Sequence, residues 1–426
     1  MKRVLVIGHF WPYHPGGSKR VLGLAKYLPE FGWEPIVLTA TLCDKPDFQC
    51  RVIETLSRNT VVEFKKFLRL NPKRGFQEQL GIPSKIIHKK ASPTARIAKL
   101  FEAVITYPDI ESGWKSFALE AVKKCFLTER VDALLSVWPI TAHIIAKGLK
   151  EEYKLPWLAD FPDLWSETYA YSYGRIRKWF DRNLEKRTLR RADILTTSSW
   201  PQTEVMRNIH GRQDILTITI GFDPEKINEP PMPLTEKFTI TYTGIFYGEN
   251  RNPSKFFEAL HELLSEKLII QDDVQVRLYG PPAKSVEMEI EKLNLSPVVK
   301  QHGVVPWEEC LKRQRESQLL LQLNWENKKE KGAYSGKITE YLAARRPVLS
   351  VGGWGNDVTE ELFQETKVGA YCPNVMQIKE ALLKYYLEYK QRRKVIFQGD
   401  ISRTDKYSYR EMAKKFATLL NLICSK

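Results

Sequence analysis

Cysteine is scarce in the sequence, and so are long apolar runs and metal-binding patterns. The six cysteines (Cys43, Cys50, Cys125, Cys310, Cys372, Cys424) are scattered with no Cys-x-x-Cys spacing. That argues against a disulfide framework and a zinc site, and it suggests a reducing compartment. No uncharged stretch reaches the roughly 18 residues that a membrane-crossing helix needs. The nearest approach, VDALLSVWPITAHIIA, contains Asp132, Pro139 and His143. The opening MKRVLVIGHFWPYHPGG does not read as a secretory leader, because its apolar run is about six residues and a turn rich in glycine and proline follows. There is no Asp-x-Asp pair and no cluster of histidine and carboxylates at ligand spacing, so neither a divalent metal nor a cofactor is expected. Short-period repeats and low-complexity tracts are also missing.

What is present describes a globular protein: 426 residues, 43% hydrophobic and 27% charged. That length exceeds one ordinary core and favours two domains. The net charge of +15 suits polyanionic partners, whether nucleic acid, anionic lipid or phosphorylated substrates, or simply a soluble basic surface.

Strand and helix patterns alternate along the chain. RVLVIG reads as a buried strand and HFWPYHPGGS as a loop. SKRVLGLAKYLPEFG has apolar residues at helical spacing, with Gly32 just past its end, and WEPIVLTA reads as a second strand. This is a βαβ unit, which implies a parallel sheet. NTVVEFKKF looks like a short strand, and residues 95–127 look helical with a break near TYPDIESGW. VDALLSVWP, PWLADF and DILTTSS read as further strands. Residues 221–237 hold four prolines and little apolar content, as a linker would. The alternation restarts after them. The expected organisation is α/β: a first doubly wound domain over 1–220, a linker over 221–237 and a second domain over 238–405. A final amphipathic helix over about 406–426 packs back on the first. Ligands in such sheets bind beyond the carboxyl ends of the strands, so a cleft between the two domains is expected.

The segment YSGKITEYLAARRPV opens a helix. Ser335 stands at the N-cap position and Gly336 lets a ligand come close to the backbone. Together they suit an anion such as phosphate, and Lys337 adds a point charge. Glu340 lies about 60° around the helix from Lys337, beside it, while Ile338, Tyr341 and Leu342 form the neighbouring stripe. A carboxylate so placed can hold a vicinal diol such as a ribose. The alternative is an exposed lysine–glutamate pair with no ligand.

SGKITEYLAARRPVLSVGG resembles the nucleotide-binding signature of retaining glycosyltransferases of family 4. RLYGPP resembles that family's central strand ending in glycine, and HGVVPWEECLKRQRESQLLLQLNW its next segment. The resemblance implies the GT-B fold, with two Rossmann-like domains facing a central cleft. It also implies transfer of a UDP- or GDP-linked sugar to a hydroxyl acceptor, the nucleotide-sugar being a substrate. By resemblance Glu340 holds the ribose, and the backbone at Ser335, Gly336 and Lys337, with the Lys337 side chain, holds the diphosphate and takes part in catalysis. TGIFYGENRNPSKFFEAL resembles the segment that brings a second cation. Arg251 is the candidate there, with Lys255 behind it. Gly244, Gly280 and Val304 complete the expected donor side, Val304 on the loop that meets the base. One departure stands out: where many members carry a glutamate eight residues before the ribose-binding one, this chain has Gly332.

In the first half, Gly16 and Gly17 match the family's glycine loop near the donor phosphates, though a paired glycine alone is an ordinary turn. PWLADFPDLW resembles a DFRDPW-like motif of a subset of these enzymes. Asp160 ends a strand and is the candidate to orient or deprotonate the acceptor hydroxyl, unless it caps a loop. Asp163, His9 and His14 are further acceptor-side candidates.

Residues 65–99 carry ten lysines or arginines and one acid, and residues 175–191 carry eight and two. These runs suit peripheral contact with an anionic membrane and a lipid-linked or surface-glycan acceptor; a solvated basic face is the alternative. No nucleic-acid motif accompanies them. The expected location is cytoplasmic, on the inner face of a membrane, in polysaccharide biosynthesis. Two other classes remain open: a non-catalytic basic binding module on the same fold, and a nucleotide-sugar epimerase.

Overall fold

A computed structural model describes residues 1–8, 18–40, 48–67, 103–168, 171, 173–228, 232–246, 251–326, 332 and 334–425. The chain divides into two units, Met1–Ile218 with Ala413–Lys426, and Thr219–Met412. No described helix is long and apolar enough to cross a membrane.

The first unit is built on a parallel sheet of seven strands in the order β3-β2-β1-β4-β5-β6-β7. These are β1 Lys2–Ile7, β2 Trp33–Ala40, β3 Arg51–Thr55, β4 Ala133–Ser136, β5 Trp157–Phe161, β6 Ile194–Thr197 and β7 Ile215–Thr217. Helices α1 Ser18–Tyr27, α2 Thr60–Phe67, α3 Lys115–Phe126, α4 Ile140–Tyr153, α5 Arg175–Leu189 and α6 Trp200–His210 accompany the strands. The central strands read as near-continuous apolar runs because both faces are covered, and Val4 to Ile7 are all fully buried. Gly32 adopts φ +82° just beyond the first helix and its short 3-10 extension, as its position suggested.

Two expectations change here. NTVVEFKKF is a helix, not a strand: the Asn59 side chain accepts from the backbone N–H groups of Val61 and Val62 and caps α2. The edge strand is the preceding Arg51–Thr55, where apolar and polar residues mix because the edge is half exposed.

The second unit repeats the plan with six parallel strands in the order β10-β9-β8-β11-β12-β13. They are β8 Phe238–Thr243, β9 Val274–Tyr279, β10 Val299–Gly303, β11 Leu319–Leu323, β12 Val348–Val351 and β13 Gly369–Cys372. Between and after them run α7 Ser254–Ser265, α8 Lys284–Lys292, α9 Trp307–Arg315, α10 Gly336–Ala344, α11 Val358–Thr366, α12 Val375–Arg392 and α13 Ile401–Asp405; the last helix, α14 Tyr409–Cys424, begins in this unit and belongs from Ala413 onward to the first. Phe222, within the stretch expected to be a linker, is buried in this unit and exchanges backbone hydrogen bonds with Tyr407 and Tyr409. The strand order reverses between β8 and β11, and a crevice opens at such a point beyond the strand ends.

Candidate functional site

The site grows from the carboxyl ends of β8, β9 and β10, where three glycines lie side by side. Gly244 donates its N–H to the Tyr279 carbonyl at 2.7 Å, and Gly280 donates to the Gly303 carbonyl at 2.9 Å. Gly244 has φ +143° and Gly280 φ +140°, conformations that side-chain-bearing residues rarely adopt. A Cβ on Gly280 would stand 2.0 Å from the Gly244 carbonyl oxygen. One on Gly244 would stand 2.5 Å from Lys337 Cε and 2.6 Å from its Nζ. The glycines thus clear a path along which Lys337 reaches over the end of β8.

That path leads to Tyr242. Lys337 Nζ donates to the Tyr242 hydroxyl at 2.6 Å and lies 4.0 Å from its ring centroid. Protein atoms crowd the ammonium and lower its pKa well below the ordinary lysine value. The Arg251 guanidinium lowers it further, and Glu340 pulls the other way. Arg251 is itself buried, its guanidinium 5.3 Å from the Trp325 ring. Two cations are therefore held close enough for the Arg251 charge to disfavour that of Lys337.

α10 projects Lys337 from its first turn and Glu340 from its second. Its stripe Ile338, Tyr341 and Leu342 is buried, as the spacing predicts. Tyr341 fixes the helix on the sheet: its hydroxyl accepts from the Thr243 N–H at 3.1 Å and donates to the Leu321 carbonyl at 3.2 Å. Glu340 is half-buried. Its Oε1 accepts from Trp307 Nε1 at 3.1 Å and its Oε2 from Gln314 Nε2 at 3.0 Å. Gln314, fully buried on α9, also donates to Thr243 Oγ1 at 2.9 Å. Sequence reasoning missed Tyr242, Trp307 and Gln314 as partners. Tyr242 lies on β8 and the other two on α9, and no local spacing links them to α10.

Several candidates take other places than expected. Ser335 occupies the N-cap position, but its hydroxyl does not cap the helix; it donates to Gln322 Oε1 at 3.2 Å instead. Gly336 is exposed, and a Cβ there would meet nothing within 4 Å, so the fold itself does not demand glycine. Lys255 is bound to Glu326 at 3.0 and 3.1 Å and to the Pro373 carbonyl at 3.1 Å. Val304 follows β10 with a largely exposed side chain. Gly332 is buried, while residues 327–331 and 333 lie outside the described residues.

In the first unit, Asp160 is 0% exposed and Arg20 1%. Arg20 Nε donates to Oδ2 at 2.6 Å and Nη2 to Oδ1 at 2.7 Å, and Thr196 from the paired strand β6 donates to Oδ1 at 2.6 Å. Arg20 also donates to the Ile218 carbonyl at 2.6 Å and lies 5.3 Å from the Phe416 ring. A fully buried carboxylate holding a guanidinium fork and a hydroxyl anchors α1 to the sheet. Asp163, in the loop after β5, has its side chain open to solvent. His9, His14, Gly16 and Gly17 lie outside the described residues.

Two doubly wound α/β units with these strand orders define the GT-B fold of glycosyltransferases. Among solved structures, the chain is similar to a sucrose-phosphate synthase of Thermosynechococcus elongatus, at 15% identity and TM-score 0.61 over 100% of both chains. It is also similar to a UDP-forming trehalose-phosphate synthase of Burkholderia xenovorans in complex with glucose-6-phosphate, at 12% identity and TM-score 0.60 over 99% of this chain and 100% of that one. Anabaena HepE in complex with UDP and glucose is 13% identical with TM-score 0.56, over 99% of this chain and 100% of that one. No family model and no curated protein sequence matches the chain.

Proposed function

We propose that the protein is a retaining glycosyltransferase akin to family 4, moving a sugar from a UDP- or GDP-sugar to a hydroxyl of a lipid-linked or surface glycan. The observation that carries this reading is the pairing of Lys337 with Arg251 beside Glu340 at the switch point of the second sheet. A diphosphate there offsets the Arg251 charge that disfavours the Lys337 ammonium. The opening turn of α10 adds its N–H groups and partial positive charge. Glu340, oriented by Trp307 and Gln314, accepts the ribose hydroxyls.

In the proposed reaction the acceptor oxygen attacks the anomeric carbon on the face from which the diphosphate departs. The carbon–phosphate-oxygen bond breaks, the new glycosidic bond forms, and a departing diphosphate oxygen takes the acceptor proton. Lys337, Arg251 and the helix terminus offset the charge that develops on that oxygen. No protein base is required at Asp160, which suits its buried pairing. Asp163 is the exposed carboxylate of that strand end that can orient an acceptor. The three solved structures named above support the reading at the level of fold.

The test is incubation with a panel of nucleotide-sugars. Slow release of nucleotide from one donor supports the transferase. An epimerised sugar would replace it with an epimerase, and no binding of any donor with a non-catalytic module.

A further inference from the structure

Helix α5 turns mostly polar side chains inward and leaves its first apolar ones outside. Arg177, Asp181, Glu185 and Thr188 are buried, whereas Ile176 is 76% exposed, Trp179 62% and Phe180 50%. The inward face is held by polar contacts. Arg177 donates to Asp181 at 2.9 Å and to the carbonyls of Thr106 and Pro108 at 3.1 and 2.9 Å, and it stacks 4.7 Å from the rings of Tyr107 and Tyr173. Asp181 accepts from Tyr171 at 2.6 Å, and Glu185 accepts from the Ser166 N–H at 3.1 Å. Toward its end Leu189 is buried in the core with Leu184 packed against it, while Ile176, Trp179 and Phe180 take no part in this anchorage and are left for another contact.

The outward face has a consistent chemistry. Its first two turns carry Ile176, Trp179 and Phe180, the two rings packed edge to face at 5.0 Å. Its last turns and exit carry exposed Lys186, Arg187 and Arg190. Both acids of the helix, Asp181 and Glu185, point inward. Arg177 also holds the neighbouring segment, where Val104 is 69% exposed. Aromatic and aliphatic side chains beside cations, with no acid on that face, fit a bilayer interface: the rings sit at headgroup depth and the bases meet anionic phosphates.

We infer that α5 docks the first unit onto an anionic membrane surface, lying parallel to it with Ile176, Trp179 and Phe180 inserted and Lys186, Arg187 and Arg190 on the headgroups. The inference is independent of the transferase reading, since none of these residues takes part in the donor site.

The full chain is tested for co-sedimentation with phosphatidylglycerol/phosphatidylcholine vesicles and with pure phosphatidylcholine vesicles. Binding is expected to anionic vesicles only and to weaken with salt. Trp179→Ser/Phe180→Ser should abolish it. Neutralising Lys186, Arg187 and Arg190 to Gln should lower partitioning on the order of a hundredfold. Because all five side chains are exposed, both variants should melt with the parent and bind nucleoside diphosphate equally. Undiminished vesicle binding by the Trp179/Phe180 variant overturns the proposal. So does a wild-type dimer that this variant dissolves while vesicle binding is unchanged, which would make the face a contact between copies.

Discussion

Glutamine in place of Glu340 isolates the ribose contact from the phosphate contact. The Glu340 carboxylate offers about four acceptor positions, so its bonds from Trp307 and Gln314 do not exhaust it. A hydrogen bond to a charged acceptor contributes about 1.5–3 kcal/mol net. Two ribose hydroxyls at the lower figure give about 3 kcal/mol, or roughly a hundredfold in affinity. Calorimetric titration of Glu340→Gln should therefore show nucleoside diphosphate binding weakened on the order of a hundredfold. A 2′,3′-dideoxynucleoside diphosphate should bind the parent with a similar loss and the variant with little further loss, a coupling of about 3 kcal/mol. Inorganic pyrophosphate, which has no diol, should bind the variant no more weakly than the parent. If pyrophosphate and nucleotide lose affinity equally, or if the dideoxy ligand binds the parent as well as the ribose form does, Glu340 does not hold the diol.

Gly336→Ala should leave the melting temperature unchanged or higher, because a Cβ there meets nothing within 4 Å, while nucleotide affinity falls as the ligand approach is blocked. Gly280→Ala should instead destabilise by roughly 2–4 kcal/mol in chemical denaturation, since its Cβ would stand 2.0 Å from a backbone oxygen. Lys337 supplies a pH test. Its folded pKa lies below the ordinary 10.5, so between those two values the unfolded chain binds a proton that the folded one does not. Stability of the ligand-free protein should rise with pH through that window, by at most about 1.4 kcal/mol per unit. Diphosphate binding within that window should take up a proton, detected by calorimetry in buffers of different ionisation enthalpy. Lys337→Met should abolish both effects. Asp160→Asn should lower stability by about 3–5 kcal/mol, with strong coupling to Arg20→Met. A lowered kcat at unchanged stability would restore Asp160 as a catalytic group.

The parallel sheets were legible because their inner strands are buried on both faces, so VLVI, ALLS and LLLQL stand out as apolar runs bounded by turns. Three of the four edge elements, β3, β7 and β13, were not. β7 and β13 are three and four residues long, too short to carry a period. α2 was mistaken for a strand because Val61 and Val62 outweighed the cap at Asn59. α10 was readable from its Ser-Gly start and its buried stripe, and Lys337 and Glu340 with it. What surrounds them was not. Tyr242 lies 95 residues from Lys337, and Trp307 lies 33 from Glu340. Arg20 is separated from Asp160 by 140 residues, so a strand-end aspartate that looked poised for an acceptor is a closed ion pair. Lys255 is a donor-side candidate through the resemblance of its segment, and its partner Glu326 lies 71 residues away.

The most direct measurement is the structure of the protein crystallised with UDP- or GDP-sugar. The account places the diphosphate on the opening turn of α10 between Lys337 and Arg251, with the ribose hydroxyls on Glu340. A nucleotide bound elsewhere, or density that leaves Glu340 in contact with Trp307 and Gln314 but not with the ribose, would contradict it.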